Sequence, residues 1–204
     1  MAMILTPALS PLREDEKYQD FVGESRMMSK PVICFDLDGT LVDAQGQIHP
    51  RDVDILRQSS SPAWTQATFI PCTGRLLPSV SQLFARHRVS PDRPLPFPLV
   101  LQNGAALYAP GERLLAFYYF PGPTRDFLVG LIQSSPQVTS LIFSEKQVYV
   151  HHPTPFAQAL LERFDLDARP FLPEDGVDFS KVMALSLVPE ALKVTEQATR
   201  RDEI

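Results

Sequence analysis

Two short apolar runs, each followed by a segment with helical periodicity, dominate the pattern in the first half of the chain. The runs at residues 31–35 and 67–72 are rich in β-branched side chains, as buried parallel strands are. A helix opened by Pro50 follows the first run, and a helix with Val80 and Leu83 on one face follows the second. Two strand-then-helix units predict a parallel sheet of the α/β class.

The pattern changes after a third apolar run at residues 97–102. Two further strand-like segments flank Pro110 and Gly111, a combination typical of a hairpin. Helical candidates follow at residues 124–133, 156–164 and 190–199, and strand candidates at residues 138–143, 147–150 and 182–188. This mixed order predicts a separate α+β domain at residues 104–204, next to the α/β domain at residues 31–103.

Residues 1–30 lack a sustained period and mix proline, charged residues and serine. A segment of this composition offers little apolar surface for packing, so we predict a weakly ordered extension. Met27 and Met28 are then both candidates for the natural start.

The composition narrows the classes of partner. The chain has 204 residues, 44% of them hydrophobic, which is enough for a packed core and excludes a disordered protein. A net charge of -5 argues against nucleic-acid binding through a general basic field, so small molecules are the expected partners. No apolar stretch has the length that a bilayer requires, and no membrane partner is predicted. The oligomeric state is left open.

Cysteine usage points to a reducing compartment. Cys34 and Cys72 each lie within an apolar run and are predicted to be buried, reduced thiols rather than a disulfide. The predicted location is the cytoplasm.

Polar residues follow the predicted strands where an open parallel sheet binds its ligands, at the carboxyl ends of the strands. Asp36 and Asp38 are two residues apart, so an extended chain directs both carboxylates to the same side. One carboxylate can attack phosphorus while the other donates a proton to the leaving group, with Mg²⁺ holding the phosphate. Gly39 and Thr40 could offer backbone N–H groups, and Thr73 a hydroxyl, to phosphate oxygens. Asp-x-Asp-Gly-Thr is also a common turn, which leaves a structural alternative.

The longer string Val-Ile-Cys-Phe-Asp-Leu-Asp-Gly-Thr-Leu-Val-Asp, at residues 32–43, resembles the signature of haloacid dehalogenase-type phosphohydrolases. Residues 69–75, Phe-Ile-Pro-Cys-Thr-Gly-Arg, look like the second motif of that family. Residues 101–105, Leu-Gln-Asn-Gly-Ala, are similar to the cap entry of its Cof-type, sugar-phosphatase-like branch. Together the resemblance covers residues 31–204 and implies a Rossmann-like core with an inserted type II (C2B-like) cap.

The resemblance also implies roles for single residues. Asp36 would be the nucleophile and a Mg²⁺ ligand, and Asp38 the general acid/base and a ligand through its backbone carbonyl. Thr73 and Gly74 would bind the phosphoryl group of a small phosphorylated metabolite, a sugar phosphate being one candidate. Arg75 either faces the substrate or begins a helix. Asn103 either contacts substrate or accommodates a tight turn with Gly104.

Two further features of the family are a lysine in a third motif and a distal Gly-Asp-x-x-Asn-Asp-like motif that completes the Mg²⁺ site. The acidic motif does not occur in this sequence. Lys181 is a candidate for the lysine, but residues 182–188 predict a strand of the cap. We therefore expect the chain to end inside the cap. The alternatives are a non-catalytic binding protein or inactive fragment with the same fold, and a phosphosugar mutase.

Overall fold

Ten strands and five helices form the described part of the chain, which the computed structural model gives as residues 2–5, 30–59, 61, 63–64, 66–90 and 94–201. The strands are β1 (Ala2–Leu5), β2 (Val32–Phe35), β3 (Thr68–Pro71), β4 (Leu99–Leu101), β5 (Ala106–Ala109), β6 (Arg113–Phe117), β7 (Thr139–Phe143), β8 (Val148–His151), β9 (Ala168–Pro170) and β10 (Lys181–Leu185). The helices are α1 (Pro50–Ser59), α2 (Leu77–Arg86), α3 (Gly122–Gln133), α4 (Pro155–Arg163) and α5 (Pro189–Arg201).

The first sheet begins with the two predicted parallel strands. β2 pairs with β3 in parallel, and β4 continues beside β3 through a bridge between Cys72 and Val100. The hairpin of β5 and β6 then extends this order in antiparallel fashion. The main apolar core lies against α1 and α2, whose side chains Leu56 and Leu83 pack into it.

The hairpin at the start of the predicted α+β domain is hydrogen-bonded to β4. β5 pairs with β4, and Tyr108 in β5 is 1% exposed within the first core. The predicted boundary at residue 104 lies between the paired strands β4 and β5, and the division into two domains stays a prediction. The turn signal at Pro110 and Gly111 identifies a hairpin, but it carries no information about which third strand the hairpin joins.

The second sheet has the order β1-β10-β7-β8-β9, with β8 and β9 parallel and the other pairs antiparallel. Helices cover both of its faces. Leu141 and Ile142 are neighbours in β7 and point to opposite sides, the first toward Leu161 of α4 and the second toward Leu128 of α3. The predicted α/β fold class is confirmed.

The edge strand β1 was not predicted from the sequence. Ala2–Leu5 pairs antiparallel with β10, although residues 1–30 had been expected to form a weakly ordered extension. Residues 6–29, including Met27 and Met28, lie outside the described residues. The strand has four residues, too few to show a recognisable period, and only its partner β10 makes it a strand.

The prediction of two buried thiols was wrong. Both cysteines are free, but Cys34 is exposed and Cys72 is half-buried. Within the described residues β2 pairs with β3 alone, so the apolar side chains of Val32 and Ile33 are exposed beside Cys34. An apolar run indicates a strand suited to burial, but the neighbours that would cover it are not encoded in the run itself.

None of the described helices combines the length and the apolar character that crossing a bilayer would require.

Candidate active site

The three polar strand ends lie side by side, as the parallel order predicted. The N–H of Cys72 donates to the carbonyl oxygen of Phe35 at 2.8 Å, which ties the end of β3 to the end of β2. The N–H of Thr73 donates to the carbonyl oxygen of Val100 at 2.9 Å, and that of Asn103 to the carbonyl oxygen of Thr73 at 3.2 Å. These bonds place the three loops next to one another at one edge of the first sheet.

Asp36 and Asp38 are both exposed on either side of Leu37, which is fully buried. This alternation matches the predicted same-side arrangement of the two carboxylates. The N–H of Leu37 donates to Oδ1 of Asp36 at 2.8 Å and so orients that carboxylate. A buried anchor between two exposed carboxylates can present both to one ligand.

Gly39 and Thr40 both donate their N–H groups within the loop. The N–H of Gly39 donates to the carbonyl oxygen of Val42 at 2.9 Å, and the N–H of Thr40 to that of Leu37 at 3.3 Å. Both groups are therefore engaged inside the turn, where Gly39 supplies a φ of 81°. Spacing alone identifies a turn with N–H groups, but only the folded loop determines which of them are already bonded.

Asp43 also serves the turn that follows. Its Oδ1 accepts hydrogen bonds from the N–H groups of Gln45 and Gln47, at 2.9 and 2.8 Å. This geometry assigns the Asp43 side chain to the turn at residues 43–47 and not to the pair of strand-end carboxylates.

Arg75 forms a bidentate ion pair with Asp38. Nε of Arg75 lies 2.8 Å from Oδ2 of Asp38, and Nη2 lies 2.7 Å from Oδ1. The Arg75 side chain is 10% exposed and the Asp38 side chain 45% exposed. The hydrogen bond and charge of Arg75 lower the pKa of Asp38 against the opposing effect of burial, and the charge of Arg163 adds to the lowering. Asp38 is therefore an anion whose two oxygens are both engaged.

The Arg75 guanidinium also contacts α2 and the residue that ends α4. Nη1 of Arg75 donates to Oγ of Ser79 at 3.0 Å, and Oγ of Ser79 donates to the carbonyl oxygen of Phe164 at 2.7 Å. The guanidinium also lies over the Phe164 ring, 5.1 Å from its centroid. Sequence reasoning missed Ser79 and Phe164; the four-residue spacing of Arg75 and Ser79 was the only available signal.

Thr73 and Asn103 pack around Gly74. Thr73 is buried, and its Oγ1 accepts a hydrogen bond from the N–H of Arg75 at 3.3 Å. A Cβ on residue 74 would lie 2.7 Å from Oδ1 of Asn103, so the loop fits around a glycine there. Asn103 has a φ of 58° and stands in the tight turn before Gly104. Among the described residues, the N–H groups of Asp38 and Gly74 have no hydrogen-bond acceptor, which leaves them as candidate donors to a ligand.

Gln102 fastens this edge of the first sheet to the second sheet. Its Nε2 donates to the carbonyl oxygens of Ser144 and Glu145, at 3.0 and 3.1 Å. Its Oε1 accepts from the buried hydroxyl of Ser180 at 2.7 Å. The buried Gln102 amide thus forms hydrogen bonds with three groups in the loops of the second sheet.

Replacing Gln102 by leucine is expected to destabilise the protein by about 2–4 kcal/mol, because the buried Ser180 hydroxyl and two half-buried carbonyl groups lose their bonds. Denaturant unfolding followed by circular dichroism measures this change. Gln82→Leu, on the exposed side of α2, is the matched control and should stay within about 0.5 kcal/mol of the wild type. Equal stabilities of the two variants would contradict the role given to Gln102.

Lys181 of β10 contacts the loop that contains Gly74. The residue is 4% exposed, and its Nζ donates to the carbonyl oxygen of Gly74 at 3.0 Å. Nζ also lies 4.1 Å from the centroid of the Phe143 ring. No described carboxylate lies within ion-pair distance. Burial lowers the pKa of Lys181 to about 8.

This buried lysine predicts a pH-dependent stability. Between pH 8 and 10.5 the unfolded chain keeps a proton on Lys181 that the folded chain has released. The free energy of unfolding must then rise with pH in this window, by about 3 kcal/mol for the whole shift. We expect Lys181→Met to lack this rise, with denaturant unfolding at pH 7.5 and pH 10.5 as the measurement. Parallel pH profiles for the variant and the wild type would refute the assignment.

The oxygen donors at this edge can serve a hard cation. The exposed carboxylate of Asp36 keeps Oδ2 open, and the carbonyl of Asp38 accepts no hydrogen bond from the described residues. Among those residues there is no cluster of three or more His, Cys, Asp or Glu side chains. Mg²⁺ is commonly held by one or two carboxylates together with waters and substrate phosphate. The residues therefore fit as part of a Mg²⁺ site, with the remaining ligands coming from elsewhere.

Comparisons with known proteins give one family model and several solved structures of similar fold. A model of the haloacid dehalogenase-like hydrolases matches residues 33–203. The chain superposes on the Thermotoga maritima protein TM0651 with a TM-score of 0.70 at 21% identity, covering 86% of this chain and 63% of that one. For a haloacid dehalogenase-like hydrolase from B. subtilis the TM-score is 0.64 at 17% identity, covering 83% and 66%.

A third solved structure is the subclass IIB sugar phosphatase BT4131, with a TM-score of 0.58 at 17% identity, covering 83% of this chain and 63% of that one. At these identities the likeness establishes the fold. The chain spans less than two thirds of the length of each of these three solved chains. No curated protein sequence matches the chain significantly.

Proposed function

Since the chain belongs to the haloacid dehalogenase-like hydrolase family, we propose that it is a Mg²⁺-dependent phosphatase acting on a small phosphorylated metabolite through an aspartyl-phosphate. The observation that carries the proposal is the pair of exposed carboxylates, Asp36 and Asp38, anchored by buried Leu37 beside Thr73. A sugar phosphate is the first candidate substrate, because a structural neighbour is described as a sugar phosphatase. In this proposal the second sheet and its helices are the cap.

In the first step a carboxylate oxygen of Asp36 forms a bond to phosphorus while the bond from phosphorus to the leaving oxygen breaks. Asp38 gives its proton to that oxygen. In the second step water attacks the same phosphorus, Asp38 takes a proton from the water, and the bond to Asp36 breaks. Inorganic phosphate leaves, and both carboxyl groups return to their starting states.

The ion pair with Arg75 affects the protonation state of Asp38 differently in the two steps. The lowered pKa keeps Asp38 ionised, which is the form that accepts a proton from water in the second step. For the first step one Asp38 oxygen must leave Arg75 and bind a proton. A phosphoryl anion near Arg75 would compete with Asp38 for the guanidinium and so favour this release.

Thr73 and the open N–H groups of Asp38 and Gly74 would hold the phosphoryl oxygens. Asp36 and the carbonyl of Asp38 would hold Mg²⁺. The cation, when bound, would neutralise charge on the phosphoryl group beside two carboxylates.

A non-catalytic phosphate-binding protein is the second candidate. The observation that favours it is the ion pair that bonds both oxygens of Asp38 to Arg75, because this pairing opposes protonation of Asp38 for the first step. A mutase would use the same first step and pass the phosphoryl group to a second sugar. For each of these three candidate functions we propose a cytoplasmic location of the protein. The two free thiols support this proposal.

The test is an assay of the chain with Mg²⁺ and a set of ³²P-labelled sugar phosphates. Release of inorganic phosphate, together with an acid-quenched phosphoenzyme, supports the phosphatase. Transfer of label to a second sugar would indicate the mutase. Phosphate binding by calorimetry without either product would favour the binding protein.

A further inference from the structure

A path of hydrogen bonds leads from Lys181 to Thr73 through one peptide unit. Nζ of Lys181 donates to the carbonyl oxygen of Gly74 at 3.0 Å. That carbonyl shares its peptide unit with the N–H of Arg75, which donates to Oγ1 of Thr73 at 3.3 Å. Hydrogen bonds in such a series polarise one another. Because Oγ1 already accepts from Arg75, the hydroxyl proton of Thr73 is directed to another acceptor.

The loop of residues 73–75 is held from outside at each of its carbonyl oxygens. Those of Thr73 and Arg75 accept from the backbone N–H groups of Asn103 and Gln102, both at 3.2 Å. The Gly74 carbonyl accepts from Lys181. Lys181 is the only charged donor of the three, and a bond from a charged donor is about twice as strong as one between neutral groups.

The charge of Lys181 also lacks a counter-ion within the described part of the chain. A buried, unpaired ammonium costs stability, so its presence calls for a compensating role. An anion bound at the Thr73 loop would supply negative charge next to the loop whose Gly74 carbonyl accepts from Lys181.

We propose that Lys181 is a positioning residue of the phosphate site, which acts through the Gly74–Arg75 peptide to orient Thr73 as a donor to the phosphoryl group. The inference rests on the proposed function, since it needs a phosphoryl group at Thr73. It adds a residue from the cap to the phosphate-binding machinery, at a position 107 residues beyond the loop in sequence.

The experiment is calorimetric titration of the full chain with inorganic phosphate in the presence of Mg²⁺. Lys181→Met keeps the apolar stem but removes the donor, and we expect about 10-fold weaker binding. Thr73→Val should weaken binding by a similar or larger factor. The double variant should bind no more weakly than Thr73→Val, because both changes break the same path. Lys181→Arg retains a charged donor and should recover most of the loss.

The outcomes separate the inference from the proposed function. If Thr73→Val weakens binding but Lys181→Met does not, the proposed phosphate site stands and the role of Lys181 is overturned. Additive effects in the double variant would also overturn it, since Lys181 would then act independently of Thr73. Absence of phosphate binding by the wild type would remove the proposed function, and this inference with it.

Folding of the variants is checked by circular dichroism. If Lys181→Met loses the native spectrum, Lys181→Gln takes its place, because glutamine keeps an uncharged donor. Lys181→Gln should then bind phosphate more weakly than the wild type, and combining it with Thr73→Val should weaken binding no further than Thr73→Val alone. Unchanged binding by Lys181→Gln, or additive effects in the double variant, would overturn the inference.

Discussion

Asp36→Asn is expected to abolish both the phosphoenzyme and the release of inorganic phosphate. An amide oxygen cannot replace a carboxylate that attacks phosphorus, so turnover should fall by at least about 10⁴-fold. The substitution is mild for the fold, because an asparagine Oδ1 can still accept the N–H of Leu37 that now bonds Asp36 at 2.8 Å. Acid-quenched ³²P labelling, followed by mapping of the labelled peptide, is the measurement.

Asp43→Asn is the matched control, since it makes the same chemical change seven positions further along the same loop. An asparagine Oδ1 can keep the two backbone hydrogen bonds that Asp43 accepts. We expect turnover by this variant within a few-fold of the wild type. Labelling that survives Asp36→Asn, or that is lost equally in Asp43→Asn, would remove Asp36 from the role of nucleophile.

The sequence was sufficient to locate the edge of the sheet where the site lies. Asp36, Thr73 and Asn103 each follow an apolar run, and the carboxyl ends of parallel strands meet at one edge. The structure brings these three loops together through backbone bonds between neighbouring strand ends. The family assignment could be made from the same residues, because motif and strand end coincide.

The partners of these residues could not be predicted in the same way. The ion pair between Arg75 and Asp38 joins side chains 37 positions apart, and the hydrogen bond from Lys181 to Gly74 joins positions 107 apart. No periodicity links such distant residues: the pairing of β2 with β3 brings Arg75 to Asp38, and the packing of the second sheet against the first brings Lys181 to Gly74. For Arg75 the sequence left a substrate contact and a helix start open, and an ion pair with Asp38 was a third possibility that it did not suggest.

The N–H groups of Gly39 and Thr40 show a second limit. The motif correctly predicted a turn, but it could not reveal that both groups donate within the turn. Candidate donors to a ligand are instead the N–H groups of Asp38 and Gly74, which have no acceptor among the described residues. A hydrogen-bond donor is available only if the fold leaves it unpaired, and this is a property of the tertiary structure.

Asp38→Asn should slow both chemical steps without removing the nucleophile. Its amide cannot relay a proton, so leaving-group departure and hydrolysis of the phosphoenzyme should each lose a general acid/base contribution of about 10²- to 10⁴-fold. The ion pair with Arg75 sharpens the expectation. Asp38 is held as an anion, so its absence should be felt in the second step whatever the leaving group.

The dependence on the leaving group separates an acid from a structural residue. An aryl phosphate needs little protonation to depart, so phosphoenzyme formation by Asp38→Asn should be much closer to the wild-type rate with an aryl than with an alkyl substrate. Rapid-quench measurement of the phosphoenzyme with both substrates tests this, with Asp43→Asn again as the control. Hydrolysis of the accumulated phosphoenzyme, a step that no longer contains the leaving group, should be equally slow after either substrate. If Asp38→Asn slows phosphoenzyme formation equally for aryl and alkyl phosphates, Asp38 is not the acid, and its pair with Arg75 is a structural element of the loop.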